Sequence, residues 1–435
     1  MSHRLPADRS ESVFPDYKEA YSPEQARVEA NRCLFCHDAP CITACPTSID
    51  IPQFIRKIAS GNQKNSARTI FESNILGMSC ARVCPVEVLC VGDCVYNHMD
   101  APPIQIGKLQ RYVTDLAFEN RERFFEAGPA TGKSVALVGA GPASLAAAHE
   151  LRRLGHACTI YEKRDLLGGL NTTGVAPYKM KADRSLEEVE WILGIGGIDV
   201  QTGVTIGEDL TFKNLEEKHD AVFLGIGLGP DSKLGISGED LEEVHGAVEF
   251  IEKIKLGTVE LTGIECCVVI GAGNTAVDCV RQLLGLGVKK VRMLYRGPQS
   301  RMSGYAHEWQ AAVAEGAKAA WHVTPQSFKR TDFSPHSFVM TYRSSAEGLP
   351  DKDFPMETEL ALVAIGQSKL GGLVAGLEGI EVDKGRIVVD HDGKTKRPGF
   401  YAGGDCTNGG KEVVNAAAEG KRSAIAIDRY LKGGE

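Results

Sequence analysis

At 435 residues the chain is long enough for two or three domains with full cores, and 43% hydrophobic with 24% charged residues is ordinary globular composition. A formal net charge of −8 argues against a nucleic-acid or anionic-membrane surface, and no apolar run approaches the roughly 20 residues of a membrane span. With no signal-peptide pattern at the start and 13 cysteines, the expected location is cytoplasmic, where thiols stay reduced and free to hold metal.

Residues 1–22 are polar and contain proline, which predicts an extended arm. From Pro23 to Phe125 the pattern predicts short helices, such as Asp50–Ile58 and Ile104–Phe118, around eight cysteines in two groups. The first group reads Cys33-Leu-Phe-Cys36-His-Asp-Ala-Pro-Cys41-Ile-Thr-Ala-Cys45-Pro46. The second reads Cys80-Ala-Arg-Val-Cys84-Pro85-Val-Glu-Val-Leu-Cys90-Val-Gly-Asp-Cys94. Thiolates so spaced can converge on one metal centre without a long loop to close. The spacing resembles the bacterial ferredoxin run, in which the cysteine before proline serves the other cluster of a pair. Two 4Fe–4S clusters and one-electron transport are therefore expected. Disulfides would suit a small secreted domain, and structural zinc usually takes two Cys-x2-Cys pairs where this stretch has only Cys33 and Cys36.

Residues 126–133 are dense in breakers and read as a linker. Beyond them strands alternate with helices, the signature of parallel α/β sheets. The strand Ser134–Val138 runs into Gly139-Ala-Gly141-Pro142-Ala-Ser144, a helix to Leu154, and a strand Cys158–Tyr161 that ends at Glu162. Strand, glycine turn, helix, strand and acidic residue make the full context of a dinucleotide fingerprint. The glycines let the backbone approach a pyrophosphate, the helix start supplies N–H donors to it, and Glu162 is placed to bond the adenosine ribose. Ser144 stands at the third small position. The unit recurs as Cys267–Ile270, then Gly271-Ala-Gly273-Asn274-Thr275-Ala276, a helix to Leu284 and Val291–Tyr295. It ends in Arg296, which can clamp a 2′-phosphate. Apolar runs at Val222–Gly227 and Leu362–Gly366 flank this second unit, and Gly399-Phe-Tyr-Ala-Gly403-Gly404-Asp405 precedes a helix-like stretch, Glu412–Leu431. One nucleotide domain interrupted by another fits that order. The predicted bounds are 1–128 for a helical iron–sulfur domain, 129–240 and 359–435 for the split first nucleotide domain, and 241–358 for the inserted one. Cys158, Cys266, Cys267, Cys279 and Cys406 form no Cys-x2-Cys pair, so a dithiol redox centre is not expected. His37, His98 and His307 are expected on the surface or beside ligands, and no acid–base or nucleophile constellation stands out.

The interrupted arrangement resembles the two-dinucleotide-binding flavoprotein fold, which implies FAD on the first motif and a nicotinamide nucleotide on the second. It also implies flavin contacts at Gly169, Leu170 and Gly404, and a ribityl hydroxyl on Asp405. The helix behind Asp405 would turn its positive end towards the reduced, anionic flavin. A cysteine-rich domain joined to that fold, from Arg27 to Leu431, resembles the group that includes the bacterial glutamate synthase small subunit and the N-terminal half of dihydropyrimidine dehydrogenase. Cys33–Pro46, Leu89–Cys94 and Ile106–Gln110 resemble the pyrimidine branch, above all the flavin subunit of bacterial NAD-dependent dihydropyrimidine dehydrogenase.

That resemblance implies one cluster on Cys33, Cys36, Cys41 and Cys94. The other falls on Cys45, Cys84, Cys90 and the Gln110 amide, with Cys80 a bystander. Ligand softness alone would favour an all-cysteine set that uses Cys80. NADH is implied as the nucleotide, with NADPH the alternative that Arg296 and Arg301 leave open. A separate FMN-containing subunit is implied too, since no stretch here can house a barrel of roughly 250 residues. The segment Gly168–Lys179 departs from the Ile-Pro-x-Phe-Arg pattern of many relatives. A glutamate synthase small subunit, a stand-alone ferredoxin-linked reductase and a non-enzymatic iron–sulfur sensor are the other readings.

Overall fold

Ser22 opens the first long helix, Pro23–Asn31, with a capping box: its Oγ accepts the Gln25 N–H, and the Gln25 side chain accepts the Ser22 N–H. The structure, a computed structural model, describes residues 5–331, 337–346, 350 and 352–434, so the first four residues of the arm lie outside the described residues. Asp50 and Asn62 cap the next helices, Ile51–Ala59 and Gln63–Ser73. With Gly77–Val83 and Ile106–Glu119 they bury Phe54, Ile55, Ile70, Leu109 and Val113, and Cys33, Cys41, Cys84 and Cys90 pack half-buried against that core.

The core does not stop at the linker. Leu137, Ile160 and Trp191 belong to it, and Trp191 lies 4.6 Å from the Phe71 ring and 5.4 Å from Phe118, centroid to centroid. Its indole N–H donates to the Glu122 carbonyl at 2.8 Å. The helical unit and the first nucleotide unit therefore share one apolar interior.

Among the described residues the remainder is built on two parallel five-stranded sheets. In the first, Ser134–Val138 is central, with Ala157–Glu162 and then Ile198–Thr202 on one side, and Ala221–Leu224 and then Phe400–Ala402 on the other. In the second, Cys266–Ile270 is central, between Lys290–Tyr295 with Lys318–Trp321 and Leu360–Val363 with Val244–Gly246. The α/β class and the nesting of one nucleotide unit within the other are both present. An antiparallel sheet of Val323–Arg330, Phe338–Ser344 and Asp353–Thr358 is appended to the second unit. The bound at 359 needs correction. Leu360–Val363 completes the second sheet, in register with Cys267–Ile270, because a fully buried apolar strand needs neighbours on both edges. Two antiparallel connectors join the units: the Ser232 N–H donates to the Gly366 carbonyl, and the Gly229 N–H to that of Ser368. Among the described residues no helix is long and apolar enough to cross a membrane.

The arm touches all three units. The Ser10 N–H donates to the Gly257 carbonyl at 3.0 Å and the Tyr17 N–H to that of Tyr178 at 2.9 Å, while Asp16 pairs with Arg111 at 2.6 Å. Phe14, 4% exposed, lies so close to Gly285 that a Cβ there would meet its ring at 2.4 Å. Phe14→Ala is expected to lower the unfolding free energy by about 3 kcal/mol and to open the arm to trypsin at Arg9 and Lys18. Denaturant unfolding and timed proteolysis check this, and an unmoved midpoint would show that this ring does not hold the arm.

Candidate functional site

A cavity of about 1290 Å³ lies between the two sheets, walled by residues that follow strands of both. Gly139 leaves Ser134–Val138 at φ +93°, and a Cβ there would strike the Gly225 carbonyl at 2.5 Å. Gly141 precedes the helix Pro142–Arg153, whose start carries no side-chain cap. A Cβ on Gly141 would meet nothing within 4 Å, so bare backbone with free N–H groups faces open space. That is the chemistry a pyrophosphate requires.

Glu162 lines the cavity, but its carboxylate also accepts the Ala140 N–H at 2.8 Å and the Arg164 N–H at 2.9 Å, bracing the glycine turn. Gly169, Leu170, Gly404 and Asp405 line the same cavity, as do Val413 and Ala416 at the start of the helix Val413–Leu431. Ser144 does not. It is fully buried with no partner for its Oγ and faces Gly225, so it serves helix–strand packing. Glu419, which sequence reasoning did not single out, accepts the Gly404 N–H at 2.7 Å and steadies the turn that carries Asp405. Burial raises the Asp405 pKa, with the Lys411 N–H acting the other way.

On the second wall Asn274 and Thr275 reach the cavity from the uncapped start of Asn274–Gly285. The Asn274 carbonyl Oδ1 accepts the Tyr305 N–H at 2.9 Å. Gly271, Gly273 and Ala276 shape the turn without lining the cavity; a Cβ on Gly271 would strike the Ala364 carbonyl at 2.2 Å. Arg296 is exposed and lies outside the wall.

An unanticipated ionic group joins the two walls. Lys179 Nζ lies 2.9 Å from Asp278 and 2.8 Å from Glu308, and the Tyr178 hydroxyl donates to Asp278. Burial pulls the Lys179 pKa down, yet the two carboxylates outweigh it and hold it raised. Lys255, fully buried, donates to the Val175 and Met180 carbonyls at 2.9 and 2.8 Å, and burial brings its pKa down to about 8. The one hint in the sequence is Asp278 itself, a single helical turn beyond Asn274.

Cys33, Cys36, Cys41 and Cys94 line a small apolar void in the helical unit. Burial, with the neighbouring thiols adding to it, raises Cys41 to about 12. Thiols crowded in this way need a cationic centre to ionise. In the second group burial lifts Cys90 well above the ordinary thiol range, and Cys84 and Cys45 add to that. A hydrogen bond with Cys80 does the same for Cys84, with burial behind it. The Gln110 amide N–H donates to the Gly77 carbonyl at 2.8 Å, so only its Oε1 could serve a metal. Among the described residues no three His, Cys, Asp or Glu side chains gather on a single-ion site. Soft thiol donors in two groups suit iron–sulfur clusters.

Val83 and Pro85, either side of Cys84, line the large cavity, so the second cysteine group abuts the nucleotide site. Asn171, in the cavity wall, donates through Nδ2 to the Ser79 hydroxyl at 2.9 Å. Glu188 accepts the Met78 N–H at 2.8 Å, the Ser79 N–H at 3.2 Å and the Ser79 hydroxyl. Burial pushes Glu188 up to about 7 against those donors.

Residues 9–122 match the family described as dihydropyrimidine dehydrogenase domain II, 4Fe-4S cluster, and residues 133–420 match pyridine nucleotide-disulphide oxidoreductase. The chain is 32% identical over 422 residues to the NAD-dependent dihydropyrimidine dehydrogenase subunit PreT of Salmonella typhimurium, covering 97% of this chain and 98% of that one. It is 30% identical over 449 residues to the glutamate synthase (NADPH) small chain of Escherichia coli, covering 96% and 94%. The fold is shared with T. acidophilum thioredoxin reductase, at a TM-score of 0.55 and 20% identity over 69% of this chain and 99% of that one.

Glu188 supplies a pH test of this junction. Its pKa rises from 4.5 to about 7 on folding, so the unfolded chain ionises first as pH increases. Stability should be greatest below pH 4.5 on this account and fall through about 7, by on the order of 3 kcal/mol. Glu188→Gln should flatten that slope in denaturation series across pH; an equal slope in both proteins would remove Glu188 as its source.

Proposed function

Since the chain belongs to the family of the dihydropyrimidine dehydrogenase subunit PreT and the glutamate synthase small chain, we propose that it carries electrons between NADH and a partner subunit. The route is FAD and two 4Fe–4S clusters, and the partner holds FMN and the pyrimidine site. The chain is an iron–sulfur, pyridine-nucleotide oxidoreductase, and its two matched families imply iron–sulfur and flavin with NAD(P). One observation carries the finer reading: Gly139–Pro142, Asn274, Thr275, Val83 and Pro85 all border a single cavity.

A bound flavin takes a hydride as an electron pair and releases electrons singly. Around it the chain supplies position and charge. The first-turn N–H groups of Pro142–Arg153 receive the pyrophosphate, Glu162 the ribose, and Asp405 a ribityl hydroxyl, with Gly169, Leu170 and Gly404 lending close approach. Asn274 and Thr275 receive the nicotinamide nucleotide on the turn built by Gly271, Gly273 and Ala276. Lys179, held between Asp278 and Glu308, keeps the two walls in register. Cys33, Cys36, Cys41 and Cys94 hold one cluster, and Cys45, Cys84, Cys90 and Gln110 the other. A single exposed Arg296 followed by Gly297 makes a weak 2′-phosphate clamp, which favours NADH.

Anaerobically isolated protein should contain FAD and about eight irons per chain. Cys80→Ser should keep that iron and Cys84→Ser should lose about half of it; loss in Cys80→Ser would assign the eighth ligand to Cys80. The ratio of kcat/KM for NADH over NADPH should be about tenfold, equal to about 1.4 kcal/mol. Co-purification from the native host tests the partner, and an amidotransferase-type chain in place of an FMN protein would turn the reading to glutamate synthase. A colourless chain without acid-labile sulfide would overturn the whole assignment.

A further inference from the structure

The end of the arm delivers a cation to the second cysteine group. Lys18 Nζ donates to the Cys84 carbonyl at 2.7 Å. Its backbone is fixed from several directions. Arg111 donates to the Lys18 carbonyl and pairs with Asp16 at 2.6 Å, while Tyr17 packs edge-on against Tyr178 at 5.8 Å beneath the Arg281 guanidinium. Burial lowers the Lys18 pKa, and Glu87, Cys84, Lys179 and Cys90 are among the charged and titratable groups that act on it. Glu87 in turn meets His307 of the second nucleotide unit at 3.5 Å. This ammonium therefore stands where the helical unit and both cavity walls come together.

We propose that Lys18 sets the reduction potential of the cluster on Cys84 and Cys90, its fixed positive charge favouring the reduced form and drawing electrons towards that cluster. The proposal rests on the electron-transfer reading above. Each reduction adds one negative charge to a thiolate-bound cluster. A cation at hydrogen-bond distance from a ligand's own carbonyl stabilises that added charge more than it stabilises the oxidised state. Half-buried, the pair is screened less by solvent and salt than a surface pair would be.

The test is an EPR-monitored redox titration of the full chain, purified anaerobically, with iron and acid-labile sulfide measured on the same samples. In Lys18→Met one cluster midpoint should move to a more negative value while the other stays in place. Lys18→Arg should restore it. Lys18→Gln, which keeps a donor for the Cys84 carbonyl but no charge, should match Lys18→Met, and it carries the comparison if the methionine variant loses iron. Unmoved midpoints at full iron content would overturn the proposal, as would a wild-type midpoint in Lys18→Gln, which would assign the effect to the hydrogen bond. A wild-type chain devoid of clusters would instead sink the electron-transfer reading itself.

Discussion

Glu188 fastens the helical unit to the sheet that carries the first nucleotide site. A carboxylate taken fully out of water costs several kcal/mol unless donors replace the lost hydration. Here the replacements come from one place, the backbone and hydroxyl at Met78 and Ser79. The two units cannot part without breaking those hydrogen bonds and opening the Trp191 stack. The approach of the second cysteine group to the cavity is thus a consequence of folding, and needs no separate docking step.

The second nucleotide unit is attached on different terms. Two connectors, the Lys179 group, Lys255 and the Phe14 ring hold it to the rest. Lys179 comes from the first unit, while both its carboxylates come from the second. Polar pins of this kind can be broken and remade with much less exposed apolar surface than a shared core would release. The first junction is therefore a shared apolar core, while the second combines polar pins with the packing of Phe14, Ala176 and Tyr178.

Motif order and cofactor class were legible in the sequence because each depends on short spacing. Gly139 and Gly141, Gly271 and Gly273, and the two cysteine groups each sit within one local unit. The junctions were not legible. Glu188 meets Met78 across 110 positions and Tyr178 meets Asp278 across 100, and no local pattern marks such pairs. Leu360–Val363 was assigned to the wrong unit for a related reason: four buried apolar residues are the same signal in either sheet. Ser144 and Arg296 show a third limit. A position in a motif states which turn is formed, and the side chain's direction depends on neighbours the motif does not contain.

The segment from Gly77 to Pro85 is where these constraints meet. The Gly77 carbonyl takes the Gln110 amide, Met78 and Ser79 take Glu188, and the Ser79 hydroxyl also takes Asn171. The Cys84 N–H donates to the Cys80 carbonyl, the Cys84 carbonyl takes Lys18, and Val83 and Pro85 line the cavity. Arg82, almost fully buried, pairs with Asp115 at 2.7 Å. Five of these nine residues, Gly77, Met78, Ser79, Arg82 and Cys84, have a partner in another part of the chain, so a shift of the stretch displaces a candidate ligand, a cavity wall and an interunit bond together. A short helix in this position works as a rigid spacer between the nucleotide cavity and the sulfur-rich interior. Its rigidity comes from the groups that surround it, since seven residues are too few to hold a helix alone.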